Sequence, residues 1–327
     1  MNILISIHST FAMWNIPQAS VERLRGDFPQ HTFLHAPGDP EALGVIPEAE
    51  AAFMGTMQRE QFLAAGRLRW VHSPAAGVGG MLFPEMVASP VIITNSRGMS
   101  ADTIAEHVLA VTLAIFRRLP HACRSQHDRE WAQDAISAAG HRSIAGARVL
   151  VIGLGAIGAA VAARLSALGA TVRGIRRRAA SAADVDGVAS IHAPDEIGAL
   201  LPRADVVVLS APHTRETRGL IGRAELAAMS PDAILVNVSR GQLVDEAALI
   251  DALRDRRIGG AALDVFNDEP LPADSPFWTL PNVLITPHTA GWRPDHWDAA
   301  VALFAGNLRR FEAGRPLLNV VDKLAGY

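Results

Sequence analysis

The stretch Gly146-Ala-Arg-Val-Leu-Val-Ile-Gly-Leu-Gly-Ala-Ile-Gly158 constrains the fold more than any other part of this chain. Val149 to Ile152 form a short apolar run suited to a buried parallel strand. Gly153, Gly155 and Gly158 follow at G-x-G-x-x-G spacing, and Ala159 to Leu168 read as a helix ending at Gly169. Gly153 permits a tight turn, Gly155 lets backbone amides approach a pyrophosphate, and Gly158 lets helix and strand pack closely. The helix N-terminus adds free N–H groups and a partial positive charge. Gly153, Gly155, Ala156, Ile157 and Gly158 are therefore the phosphate-binding candidates. A glycine triplet alone is a weak signal. Here a strand precedes it, a helix follows, and a second strand (Ala170 to Ile175) comes next, which is the context of a dinucleotide-binding unit.

The alternation extends over the whole chain. Before the glycine loop, strands are expected at Ile3–Ile7, Thr32–Leu34, Ala51–Phe53, Leu68–His72 and Val91–Thr94, with helices such as Gln18–Arg25 and Arg59–Ala65 between them. After it, strands are expected at Asp205–Ser210, Ala233–Val238, Gly260–Phe266 and Val283–Thr286, with helices at Glu225–Met229 and Asp245–Arg254. Repeated strand–helix units with right-handed crossovers imply an α/β fold of two doubly wound parallel-sheet domains. The larger is a Rossmann dinucleotide-binding domain and the smaller is flavodoxin-like. Pro294 to Glu312 carries an apolar stripe at Trp297, Val301, Phe304, Leu308 and Phe311, with Trp297 expected in the core. That helix is expected to return to the first domain and make it discontinuous, with 1–96 and 292–327 as substrate domain and 97–291 as nucleotide domain. Ser100 to Phe116 reads as a helix apolar on nearly every side, buried all round or packed on another subunit. Glu106 and His107 on it point about 100° apart and are read as structural or interdomain contacts rather than a catalytic pair.

Composition excludes several mechanisms. Lys323 is the only lysine and Tyr327 the only tyrosine, so Schiff-base chemistry and a Tyr–Lys pair are disfavoured. Cys123 is the only cysteine, which excludes an intrachain disulfide and makes a cytoplasmic location the default. It is read as a packing residue. No Cys/His spacing suggests a metal site. The first residues lack a basic region and a long apolar run, so a signal peptide is not expected. No run of about 18 apolar residues suggests a membrane span, and a net charge of −3 offers no attraction to nucleic acid. Proton transfer falls to His, Asp or Glu.

Three polar residues follow strands of the larger domain: Arg240 after Asn237-Val-Ser239, Glu269 after Leu263 to Asp268, and His288 after Thr286-Pro287. The carboxyl edge of such a sheet is where cofactor and substrate meet. An Arg could clamp a carboxylate and polarise the carbonyl of a 2-oxo acid. A His could deliver or remove the hydroxyl proton, and a Glu bonded to the imidazole would favour its charged form. Any of the three could equally be a surface or capping residue. In the first domain, Ser73-Pro-Ala-Ala-Gly-Val-Gly-Gly80 follows a strand, and its amides could hold a carboxylate or simply connect.

These pieces together resemble the D-isomer-specific 2-hydroxyacid dehydrogenase family, which includes glyoxylate and hydroxypyruvate reductases. The matching segments are Ala76-Gly-Val78, Ala105-Glu-His-Val108, Gly153 to Gly158, Val238-Ser-Arg-Gly241, Leu263-Asp-Val-Phe266 with Glu269-Pro270, and Thr286-Pro-His-Thr-Ala-Gly291. The resemblance implies Arg240 as substrate-binding arginine, Glu269 and His288 as acid/base dyad, and Asp264 as the contact to the nicotinamide end. It implies that Ala76, Gly77 and Val78 receive the substrate carboxylate, and that Pro212, Thr217, Val238 and Ser239 lie against the cofactor. It further implies a homodimer with much of its interface in about 98–145, where Trp131 could reach a neighbouring active site. Trp292 and His296 are candidate pocket-lining residues.

One departure is informative. An NAD-preferring site would place Asp or Glu near position 176 to accept ribose hydroxyls. Arg176-Arg-Arg178 stand there instead, and the first acidic residue beyond is Asp184. Guanidinium groups can hold a 2′-phosphate bidentately, so NADP(H) is expected over NAD(H), with NAD(H) still possible. Only one of the three arginines need point inward. The expected function is NADPH-dependent reduction of a small 2-oxo acid to the D-2-hydroxy acid. The alternatives are oxidation of phosphite or formate, or a non-catalytic dinucleotide-sensing protein on the same scaffold.

Overall fold

The computed structural model describes residues 1–177 and 185–327, which divide into two compact units. The first comprises Met1–Met99 and Arg293–Tyr327, the second Ser100–Trp292.

Five short strands build the first unit: β1 (Asn2–Ser6), β2 (Thr32–His35), β3 (Ala51–Met54), β4 (Trp70–Ser73) and β5 (Ile92–Asn95). All pair in parallel in the order β2-β1-β3-β4-β5, a doubly wound flavodoxin-like arrangement. Successive residues alternate between two cores, as the period of a strand requires. Ile3, Ile5, Phe53 and Trp70 face one, while Leu4, Ala52, Met54 and Val71 face the other. Helix His296–Glu312 covers the first face, with Phe304 stacked on Phe53 (4.5 Å between ring centroids) and on Trp70 (5.2 Å). Trp297 packs against the same core. The sole lysine, Lys323, donates to the carbonyls of Met86, Ser89 and Val91, where it ties down the C-terminal segment.

Seven strands build the second unit: β6 (Arg148–Ile152), β7 (Thr171–Ile175), β8 (Val188–His192), β9 (Val206–Leu209), β10 (Ile234–Asn237), β11 (Gly260–Leu263) and β12 (Val283–Ile285). Their order is β12-β11-β10-β9-β6-β7-β8, so the two halves diverge from β6 and β9. The register aligns the strand ends: Ile152 lies beside Leu209, Leu209 beside Asn237, Asn237 beside Leu263, and Leu263 beside Ile285. The segments leaving these five strands therefore emerge along one edge.

Several expectations need correction. Helix Ala101–Phe116 is not buried all round by its own chain: it turns Ala105, Val108, Val111 and Phe116 onto Val149, Val151 and Val161, while Leu113 is 36% exposed, so of the two readings only packing on another subunit is left. Cys123 is exposed rather than packed, because helix Leu119–His127 buries only Ser125. The helix after the glycine loop begins at Ala156, earlier than its apolar pattern suggests. β11 ends at Leu263, because Asp264 leaves the ladder to bind other amides. β8 was not expected, since it is a partly exposed edge strand with no apolar run. No helix among the described residues is long and apolar enough to cross a membrane.

Candidate active site

The glycine loop has the shape a dinucleotide requires. Gly153 sits at φ +104°, and a Cβ there would lie 2.5 Å from the Ala211 nitrogen. A Cβ on Gly158 would lie 2.2 Å from the Gly153 carbonyl oxygen, so neither position accepts another residue. At Gly155, by contrast, a Cβ would meet nothing within 4 Å, which leaves open space beside the backbone. The helical ladder starts with the Ala159 N–H donating to the Gly155 carbonyl at 2.9 Å. The amides of Ala156, Ile157 and Gly158 thus belong to the unpaired first turn, where a phosphate fits. Ser210, which the motif does not reveal, donates to the Gly153 carbonyl at 2.9 Å and ties the turn to the end of β9.

Further along the same edge His288 pairs with Glu269. His288 Nδ1 lies 2.6 Å from Glu269 Oε2, with the imidazole N–H as donor, and the other carboxylate oxygen accepts the Phe266 N–H at 2.9 Å. Burial pushes the Glu269 carboxyl up. The hydrogen bonds from His288 and Phe266, with the charges of His288 and Arg240, outweigh it and hold the group below its usual range. Nδ1 is committed to Glu269, so Nε2 is the ring atom left for a substrate. Arg240 is half-buried and close enough to Glu269 for each charge to act on the other. Burial lowers the guanidinium pKa and the carboxylate partly offsets this. Its Nη1 donates to the Ser239 carbonyl at 2.6 Å, and the buried Asn237 braces the turn by donating to the Arg240 carbonyl at 3.0 Å. The structure therefore gathers Arg240, Glu269 and His288.

The remaining candidates fall at different places. Asp264 is buried, and its carboxylate accepts from the Thr286 hydroxyl (2.6 Å) and the Thr289 amide (2.9 Å). Val238 and Ser239 are buried at the end of β10, and the Ser239 hydroxyl donates to the Ala211 carbonyl. Thr217 donates to the Pro212 carbonyl at 2.7 Å, which closes the turn after β9. Arg176 and Arg177 are exposed after β7, and Glu216 lies near enough to Arg177 to feel its charge. Arg178 and Asp184 lie outside the described residues. Trp292 is half-buried at the end of the second unit. His296 is 4% exposed and meets the rings of Trp14 and Trp297 edge-on. Sequence reasoning passed over His213, in the turn after β9. Burial, with the charges of Arg218 and Arg240, holds its imidazole below the usual range.

In the first unit, Ala76 and Gly77 are exposed after β4, and Val78 is buried beneath them. The loop is held from behind: Asn95 Nδ2 donates to the Ala76 carbonyl at 2.7 Å and the Ser96 amide to the Ala75 carbonyl at 3.0 Å. Beneath these, His72 is fully buried, its Nδ1 2.7 Å from the Thr94 hydroxyl, and burial pushes its pKa down to about 3.

Comparison with known proteins accords with this geometry. Residues 109–290 match the profile described as D-isomer specific 2-hydroxyacid dehydrogenase, NAD binding domain. A glyoxylate reductase from Korarchaeum cryptofilum is 34% identical over 270 residues, covering 81% of this chain and 79% of its own. The chain belongs to the D-isomer-specific 2-hydroxyacid dehydrogenase family. A D-3-phosphoglycerate dehydrogenase from Mycobacterium tuberculosis is also 34% identical, over 91% of this chain. The chain spans only 56% of that relative's length. A family member from Xanthobacter autotrophicus Py2, solved in complex with NADPH and MES, superposes with a TM-score of 0.83 at 33% identity and covers 99% of each chain. The glycine cradle and the Arg240–Glu269–His288 group both fall in the unit that carries the dehydrogenase match.

Proposed function

We propose that this chain reduces a small 2-oxo acid, such as glyoxylate or hydroxypyruvate, to the D-2-hydroxy acid with NADPH, reversibly. The observation that carries the reading is the 2.6 Å pairing of His288 with Glu269 within electrostatic reach of Arg240. The bound dinucleotide supplies the hydride. Arg240 holds the substrate carboxylate and polarises the carbonyl. His288 gives its Nε2 proton to the carbonyl oxygen, and Glu269, accepting from Nδ1, fixes the tautomer and orientation of the ring. Ala156, Ile157 and Gly158 amides hold the pyrophosphate, Asp264 meets the nicotinamide end, and Ala76 to Val78 receive the carboxylate.

Arg176 and Arg177 take the 2′-phosphate, a reading supported by the NADPH in the Xanthobacter structure. A homodimer is part of the proposal, and Trp131, 89% exposed in the single chain, is assigned to its interface. A phosphorylated 2-oxo acid is the second substrate reading. It is favoured by the positive charge of Arg218, which together with that of Arg240 acts on His213, and by the phosphoglycerate dehydrogenase relative.

The test is a panel of glyoxylate, hydroxypyruvate, pyruvate and 3-phosphohydroxypyruvate, each assayed with NADPH and NADH. The fastest turnover should come from one of the unphosphorylated acids with NADPH. Replacing Arg176 and Arg177 with Ser should raise the NADPH KM about tenfold or more and leave that of NADH nearly unchanged. Equal losses with the two cofactors would remove the phosphate assignment.

A further inference from the structure

The acid/base histidine stands on backbone that does not hold itself. His288 has φ +53°, a left-handed conformation that is costly for a residue with a Cβ and persists only where the surroundings over-determine it. Asp264 supplies much of that determination. Its carbonyl accepts the His288 amide at 2.9 Å, and its carboxylate accepts the amides of Thr289 (2.9 Å) and Ala290 (3.1 Å). Its orientation is shared with the Thr286 hydroxyl at 2.6 Å, which in turn lies 3.3 Å from His107 Nε2 on helix Ala101–Phe116.

A hydroxyl has one proton, and a carboxylate only accepts, so Thr286 donates to Asp264. Its oxygen is then free only to accept from the imidazole, and His107 must carry a proton on Nε2. Burial lowers the pKa of this imidazole while the charge of Asp264 partly offsets it. Donors therefore run one way, from His107 through Thr286 to Asp264.

We infer that His107 is a positioning residue: by donating from Nε2 to Thr286 it fixes the Asp264 carboxylate, which holds the 288–290 backbone and so aims His288. The kinetic part rests on the reductase reading, whereas the hydrogen-bond part does not.

The experiment uses the full chain with His107→Gln, which keeps a terminal N–H donor, and His107→Leu, which removes it at similar volume. Nitrogen-15 spectra of the histidine rings should show the His107 signal of the wild type as the Nε2–H tautomer. His107→Leu should move the ring signal of His288 and lower kcat about tenfold, with the NADPH dissociation constant within about twofold. His107→Gln should return kcat to within about threefold of wild type and leave the His288 signal in place. Thr286→Val should reproduce the effects of the leucine variant, and it provides the kinetic arm if that variant does not fold. A bare Nε2 in the wild type, or equal impairment of the Gln and Leu variants, would overturn the inference. If the wild type reduces no 2-oxo acid, the reductase reading falls, and the tautomer and the His288 signal still decide this one.

Discussion

The loop after β4 and the segment after β12 are both backbone turns braced by buried side chains, yet the chemistry of the bracing differs. Among the described residues, the groups bonded behind Ala76 and Gly77 are neutral: the Asn95 amide, the Ser73 and Ser96 hydroxyls, and beneath them Thr94 and an uncharged His72. Behind His288 stand two carboxylates, Asp264 and Glu269. The difference follows from what each turn is proposed to face. A buried negative charge behind the first loop would repel a substrate carboxylate in a medium that screens it poorly. At the second, a carboxylate accepts from Nδ1 and turns Nε2 of the proposed proton donor outward.

If that contrast is real, substitutions in the two regions should fail differently. The largest effect is expected at Arg240, whose charge acts on Glu269. Arg240→Gln should lower kcat/KM by about a hundredfold to a thousandfold, because a preorganised charge is lost where charge develops. A loss under threefold would show that the guanidinium is structural.

Asn95→Ala should be milder and of another kind. It frees the Ala76 carbonyl and loosens the loop, raising the KM of the 2-oxo acid about tenfold with kcat within about threefold. A fall in kcat at constant KM would break the comparison, since it would place the loop in the chemical step.

The smallest effect concerns stability and pH. The folded-state pKa of His72 is about 3, below its ordinary value of 6.5. Below that ordinary value the unfolded chain binds a proton that the folded chain refuses. Stability attributable to this residue is thus level above about pH 6.5 and falls as pH drops toward 3, at up to about 1.4 kcal/mol per pH unit. Urea midpoints at pH 7.5 and 5 should show that slope in the wild type and a shallower one in His72→Gln. An unchanged slope would assign the acid sensitivity to other groups.

Much of this architecture is legible in the sequence, and the reasons are local. The glycine spacing and the apolar runs of β6, β9 and β10 are contiguous patterns, and Arg240, Glu269 and His288 each follow a recognisable strand. What escaped is bonding between distant positions. Ser210 reaches Gly153 across 57 residues, and His107 reaches Thr286 across 179. Nothing local marks either. Periodicity reads helix Ala101–Phe116 as apolar on nearly every side and His107 on it as a structural or interdomain contact; its role depends on which residue the fold brings opposite. β8 escaped because a half-exposed edge strand needs no apolar run.

The most direct test of the account replaces His288 with Ala and follows two quantities in the same preparation: NADPH oxidation by the best 2-oxo acid, and NADPH binding by fluorescence. The account predicts that turnover falls about a hundredfold to ten-thousandfold while the NADPH dissociation constant stays within about threefold. Turnover close to wild type, with cofactor still bound, would contradict the acid/base role of His288 and with it the proposed reaction.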